Sequence, residues 1–104
     1  MKTVAFTMKL KPGAGAEYQR RHDELWPELA RVLREAGISD YSIFLDETTG
    51  TLFAVQKQAD GSAAADLANH PVVKKWWDYM SPLMEVHPDK SPVCGSLTLM
   101  FHLA

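Results

Sequence analysis

Two β-rich runs, "DYSIFLD" (40–46) and "GTLFAVQKQ" (50–58), flank the turn "ETTG", and no other feature of the chain narrows its fold as much. A hairpin with Gly50 at the turn fixes two antiparallel neighbours in the middle of the sequence. Before it, "TVAFTMKL" alternates, with Val4, Phe6, Met8 and Leu10 on one face and Thr3, Ala5, Thr7 and Lys9 on the other, which predicts a first strand. "KPGAGA" breaks that strand, and residues from about 16 to 36 then follow helical periodicity up to Gly37, a residue suited to ending a helix. Beyond the hairpin, "GSAAADLAN" and "HPVVKKWWDYM" read as a second helical region with Pro71 in its first turn. The last run, "SLTLMFHLA", alternates again and predicts a closing strand. The order β-α-β-β-α-β predicts an α+β fold of ferredoxin-like sandwich type.

Two helices cover only one face of a four-stranded sheet. Ala5, Phe44, Leu52, Ala54 and Met100 fall on positions alternate to the main apolar stripes, so the second face calls for a lid. A homodimer packed sheet against sheet, closing a dimeric α/β barrel, would supply it and leave a cavity between sheet and helices for a small ligand. A length of 104 residues suits one domain, 1–104. The formal net charge is −2, and the basic pairs Arg20-Arg21 and Lys74-Lys75 are too small for an electrostatic nucleic-acid footprint. No apolar stretch approaches the ~20 residues that cross a bilayer, so no membrane partner is expected. The single Cys94 cannot form an internal disulfide, and Lys9 and Lys11 interrupt any signal-peptide core, which points to a cytoplasmic protein.

The first helix carries one residue out of pattern. Taking Tyr18 as the origin, Leu25, Leu29, Val32, Leu33 and Ala36 lie within roughly 60° of it at about 100° per residue, and His22 falls among them at about 40°. Tyr18, His22 and Trp26 are spaced four apart and can share one edge as a row of rings. An inward imidazole needs a partner: a backbone carbonyl or a tyrosine if it is a core residue, a ligand if it lines a site. Pro27 removes a helical hydrogen bond and predicts a kink directly after Trp26, which opens space beside His22.

On the second helix Trp76 and Trp77 stand about 100° apart, so one suits the core while the other is half exposed. An indole face also suits the C–H face of a sugar, with its N–H free to donate. Tyr41 adds a phenol at the start of the second strand, either as an ordinary β-former or as a ligand contact. Asp89, in "HPDKSP", reads as a turn residue that would otherwise partner a base. No phosphate loop, nucleophile elbow or Cys–His metal spacing is present, and His70, His87 and His102 are scattered, so no cofactor and no metal are expected.

Taken together, "EYQRRH", "WPEL", "YSIFLD", "LFA", "WWDYM" and "PDKSPV" make the whole chain from residue 4 onward resemble the L-rhamnose mutarotases. The resemblance implies a dimeric ferredoxin-like barrel and a cofactor-independent isomerase acting on L-rhamnose. It implies His22 as catalytic acid and Tyr18, Tyr41, Trp76 and Trp77 as substrate contacts; all five are present. The sequence departs from the family at His87, where the family tends to have Asn, and in the Ala-rich "GSAAADLA". Mutarotation needs a proton delivered to the ring oxygen as the C1–O bond breaks and one removed from the anomeric hydroxyl, and an imidazole with a pKa of about 6.5 suits the first role. Water or Asp89 would take the second. Other uses of such a barrel are a cofactor-independent monooxygenase or lactone isomerase, or a sugar-binding module without catalysis.

Overall fold

The computed structural model describes all residues 1–104. Strand β1 (Lys2–Lys9) leads through the Pro12-Gly13 turn into helix α1 (Gly15–Asp23), followed by helix α2 (Pro27–Glu35), strand β2 (Ile38–Asp46) and strand β3 (Thr51–Gln58). A 3-10 segment (Ala64–Asn69) precedes helix α3 (Pro71–Met80), a second short 3-10 turn spans Ser81–Leu83, and β4 is confined to Gly95–Ser96. The sheet order is β2-β3-β1-β4, with every neighbouring pair antiparallel. This is the ferredoxin-like order that the sequence predicts.

The predicted single helix over residues 16 to 36 is two helices. Pro27 disfavours the helical conformation at the residue before it, and Trp26 is extended at φ −60°, ψ 124°. Pro27 itself starts α2 at a first-turn position where its missing N–H costs nothing. The predicted kink is therefore a break across Glu24–Trp26. Pro71 plays the same first-turn part in α3, where the His70 ring nitrogen Nδ1 accepts from the Val72 N–H at 3.2 Å.

The hairpin closes with Gly50 at φ +75°, in the left-handed region that glycine occupies without strain. Strand β2 begins at Ile38, two residues before the predicted start, and carries a bulge between Ser39 and Ser42 with Asp40 at φ +46°. Ile38 pairs with Gln58 and Ile43 with Ala54, so two residues an odd number apart both face the helices. Only an extra residue in the strand permits that.

The register also decides the faces. Met8 pairs with Leu52, Phe6 with Ala54, and all four face the helices; Leu52 is 1% exposed and Ala54 0%. Leu52 and Ala54 thus belong to the helix-covered core, not to the second face on which the alternation places them. Ala5, Thr7, Phe44, Phe53 and Val55 form the uncovered face by the same register. Leu29 and Val32 of α2 and Val72, Val73, Trp76 and Met80 of α3 close the core from the other side.

The predicted closing strand is absent beyond Ser96. Leu97 donates its N–H to the Ala5 carbonyl at 3.3 Å, and the chain then leaves the sheet. Phe101 is 79% exposed and Met100 88%. The alternation in this run is real, but after Leu97 the run makes no further main-chain bond to β1, although β1 extends to Lys2. No helix is long and apolar enough to cross a membrane.

Candidate active site

Helix α1 puts Tyr18 and His22 one turn apart, with ring centroids 4.4 Å from each other and planes inclined at 32°. His22 Nδ1 lies 3.0 Å from the Tyr18 carbonyl oxygen. A carbonyl only accepts, so Nδ1 carries the hydrogen and Nε2 is the nitrogen that exchanges protons. Helix α3 brings the buried Trp76 edge-on to the imidazole, centroids 5.3 Å apart at 90°. Trp77, half-buried, follows on the adjoining stripe. The β2 bulge sets Tyr41 against Phe6, centroids 6.5 Å apart.

All five of these side chains line one cavity of about 1030 Å³ between the sheet and the helices. Apolar walls come from Leu29, Val73 and Met80, while Gln19, Asp23, Arg34, Asp40 and Lys90 supply polar groups. A concave, largely apolar space with a few polar groups is the usual character of a small-molecule site. No polar side-chain atom is sealed from solvent without a partner, so the Tyr18 hydroxyl, which bonds nothing in the chain, opens to this cavity. The structure contains no cluster of three His, Cys, Asp or Glu side chains placed to hold a metal ion.

Burial governs the protonation of the site. It pushes the Tyr18 phenol well above its ordinary range, and the nearby Tyr41 adds repulsion against a phenolate. Tyr41 keeps 38% of its surface exposed and lines the cavity, and burial of the phenol pushes it up to about 12. Both are therefore neutral hydrogen-bonding groups near pH 7. Burial lowers the His22 pKa below 6.5, opposed by the bond to the Tyr18 carbonyl and by the charge of Asp23.

Trp26 does not extend the Tyr18–His22 row, because the helix break turns it away. It packs behind Trp76, with centroids 5.0 Å apart at 85°, and against Tyr79 at 5.5 Å. The Arg21 guanidinium lies 4.2 Å above the Tyr79 ring and donates to the Tyr79 carbonyl. Arg21 also pairs with Glu17 at 2.7 Å. This brace packs against Trp76, the ring that His22 also touches. Its Glu17–Arg21 half has a visible i,i+4 spacing, whereas the Tyr79 half lies 58 residues away in sequence and leaves no local signal.

Asp89 and His87 take no part in the cavity wall. Asp89 is exposed and accepts from the Ser91 N–H at 2.9 Å and from the Ser91 hydroxyl, which holds its carboxyl below the usual range. It is the turn residue that "PDKSP" suggests. His87 faces solvent, and His102 lies in the exposed terminal run.

A sequence model of the L-rhamnose mutarotase family matches residues 3–103. The chain belongs to the L-rhamnose mutarotase family. The L-rhamnose mutarotase of Flavobacterium johnsoniae is 56% identical over 95% of this chain and 92% of its own length. That of Sinorhizobium fredii is 52% identical over the whole of both chains. In three dimensions the crystal structure of an L-rhamnose mutarotase from Formosa agariphila superposes with a TM-score of 0.94 at 49% identity, covering all of both chains. The mutarotase resemblance read from the sequence and the family assignment agree, and the five residues that the resemblance singles out all stand on one cavity.

Proposed function

We propose that this chain, an isomerase of carbohydrates by its family, interconverts the α and β anomers of L-rhamnose through the open-chain aldehyde, with His22 as the proton donor. The carrying observation is the contact of His22 Nδ1 with the Tyr18 carbonyl at 3.0 Å, which fixes the Nδ1–H form and leaves Nε2 to work on the ligand. Protonated at Nε2, His22 gives its proton to the ring oxygen as the C1–O bond breaks. On reclosure of the sugar the same nitrogen takes that proton back from the O5 hydroxyl as the oxygen attacks C1, and attack on the other carbonyl face inverts the anomer. Tyr18 and Tyr41, neutral at pH 7, orient the sugar hydroxyls by donating and accepting hydrogen bonds. Trp76 and Trp77 offer their faces to the apolar side of the ring and to its C5 methyl group. Water takes the proton of the anomeric hydroxyl on opening and returns one to O1 on reclosure; the Asp89 carboxylate, engaged by Ser91 outside the cavity wall, takes no part.

The functional unit is a homodimer in the reducing cytoplasm, two uncovered sheet faces meeting at Phe44 and Phe53, which are exposed large apolar side chains in the single chain. Saturation-transfer NMR on L-rhamnose tests the reading. Anomer exchange is accelerated by the protein and falls by about 10²–10⁴-fold in His22→Ala with the fold intact, the range typical of one acid–base group. A His22→Ala variant as fast as the parent would remove His22 from the mechanism, and a protein that binds the sugar without speeding exchange would remove catalysis altogether.

A further inference from the structure

Strand β2 lies at an edge of the sheet and carries Tyr41, one of the five cavity residues, directly after a residue with an unusual backbone. Ser39 pairs with Lys57 and Ser42 with Val55, so Asp40 and Tyr41 together stand opposite the single residue Gln56. Two residues against one make a bulge, and Asp40, the first of the two, sits at φ +46°. In a bulge of this kind that position usually belongs to glycine, and aspartate is among the few other residues that visit the left-handed region. The Asp40 carboxylate lies 3.2 Å from the Lys57 ammonium, but both side chains are largely exposed, and an exposed ion pair adds little to stability. A left-handed residue held by so little points to a role outside stability.

The position of the Tyr41 ring supplies that role. Neighbouring strands run roughly 4.8 Å apart, so β1 and β2, with β3 between them, stand roughly 10 Å apart. The rings of Tyr41 on β2 and Phe6 on β1 nevertheless have centroids only 6.5 Å apart. They lean toward each other across β3, where Ala54, paired with Phe6 on one side and Ile43 on the other, offers only a methyl group and leaves room. A side chain in a regular strand stands upright from the sheet, whereas a bulge bends the strand, increases its twist and re-aims the side chain beside it. The Tyr41 phenol comes close enough to that of Tyr18 for a charge on one to oppose a charge on the other. The two hydroxyl-bearing rings thus reach the same cavity, one from α1 and one from the sheet.

We propose that Asp40 is a positioning residue: its left-handed backbone, rather than its carboxylate, turns the Tyr41 ring inward from the sheet edge and sets where the phenol meets L-rhamnose. The role rests on the mutarotase reading, in which Tyr41 contacts the sugar, and Asp40 acts through Tyr41 without touching the sugar itself. Aim and register can be separated by mutation. In a chain lacking Asp40, Tyr41 stands alone opposite Gln56, so Ile38, Tyr41 and Ile43 stay on the helix side and only the bulge is lost. Asp40→Gly does the reverse, keeping a residue at ease with positive φ while deleting the carboxylate.

Anomer-exchange kinetics and ring-to-ring NOEs in the sugar-free protein form the test. In Asp40→Gly the KM for L-rhamnose stays within about twofold of the parent value, while in the chain lacking Asp40 it rises about tenfold with kcat nearly unchanged, as for one lost hydrogen bond to the sugar. NOEs between the Tyr41 and Phe6 rings persist in the first variant and vanish in the second. In a Tyr41→Ala background, removing Asp40 raises KM no further, because the effect runs through that ring. The proposal is overturned by an unchanged KM on removal of Asp40, by an equal rise in Asp40→Gly, or by an undiminished effect of the removal in Tyr41→Ala. If the shortened chain does not fold, Asp40→Val takes its place: it keeps the chain length, puts a β-branched residue where φ is positive, and carries the same expected and overturning results. A parent protein that leaves anomer exchange unaccelerated overturns the mutarotase reading instead. The NOEs need no sugar and then decide the aim of Tyr41 alone, which their persistence in the chain lacking Asp40 overturns.

Discussion

The aromatic side chains in and behind the cavity fall into two groups built from similar rings with opposite duties. In the half made by Tyr18, His22 and Tyr41, polar ring atoms open to the cavity and the only internal ring bond is the one from His22 to the Tyr18 carbonyl. In the half made by Trp26, Tyr79 and Arg21, rings pack face and edge against one another at 5.0 to 5.7 Å and a guanidinium lies over the last of them. Trp76 belongs to both, touching His22 on one side and Trp26 on the other. On the proposed mechanism a ring whose polar atoms face the cavity serves the ligand, while one enclosed by other rings serves rigidity. Substitutions in the first half are therefore expected to change rates, and those in the second to change stability.

The largest effect expected is the loss of exchange rate in His22→Ala, about 10²–10⁴-fold by anomer-exchange NMR, with a thermal midpoint close to that of the parent. The opposite pattern follows for Trp26→Ala, which empties the space behind Trp76. Removing a packed Trp side chain costs on the order of 3 kcal/mol, read as a fall in the denaturant midpoint. Its catalytic loss follows from a looser Trp76 and appears mainly in KM. If His22→Ala unfolds the protein, or Trp26→Ala leaves stability untouched, the division between the halves is wrong.

How far this division is written in the sequence depends on the element. Alternation in "TVAFTMKL", Gly50 at the hairpin and Pro71 at the start of α3 are local signals, and the structure reproduces each. The inward position of His22 also follows from periodicity alone. The helix break does not, because the apolar stripe resumes after Trp26 at nearly the same angle and a break of three residues leaves the pattern almost unchanged. The bulge at Asp40–Tyr41 is hidden for a similar reason: a non-glycine residue at φ +46° has no turn signature around it. Alternation cannot tell which face Leu52 and Ala54 take, because Phe53 and Val55 make the other face of β3 equally apolar and only the pairing with β1 decides. The terminal run shows its strand character plainly, but no pattern within a single run states which strand it joins.

A smaller effect distinguishes charge from packing within the polar half. His22 has a pKa lowered chiefly by burial, so its proton-donating form declines as pH rises through a midpoint below 6.5. The rate profile of kcat/KM accordingly has an alkaline limb whose midpoint lies below 6.5, and that limb disappears in His22→Ala. Stability moves the other way. Between the native midpoint and 6.5 the unfolded chain binds more protons than the folded one, so folding stability falls as pH drops through that window. Urea titrations in steps from pH 7 to pH 5 measure the slope, and His22→Ala flattens it. Tyr18→Phe is gentler still: it removes a hydroxyl that bonds nothing in the chain, so stability holds while L-rhamnose affinity falls by the worth of one hydrogen bond, about 0.5–1.5 kcal/mol.

The smallest expected effect is at Asp89, and its smallness carries information. A carboxylate near a sugar site is an attractive base for the anomeric hydroxyl, and its spacing between Pro88 and Ser91 allows a turn equally well. The Ser91 N–H and hydroxyl both donate to one oxygen of Asp89, and the side chain stands in solvent, outside the cavity wall. Those bonds hold the carboxyl below its usual pKa, which also makes it a weaker proton acceptor. Asp89→Asn keeps an acceptor oxygen for the Ser91 bonds and removes the charge, so anomer exchange in this variant equals that of the parent at pH 7. A loss comparable to that of His22→Ala would instead bring Asp89 to the reacting sugar. Because its carboxylate lies outside the wall of its own cavity, the partner's site would then be the natural place to look for it, and cross-complementation of Asp89→Asn with His22→Ala in mixed dimers would measure that directly.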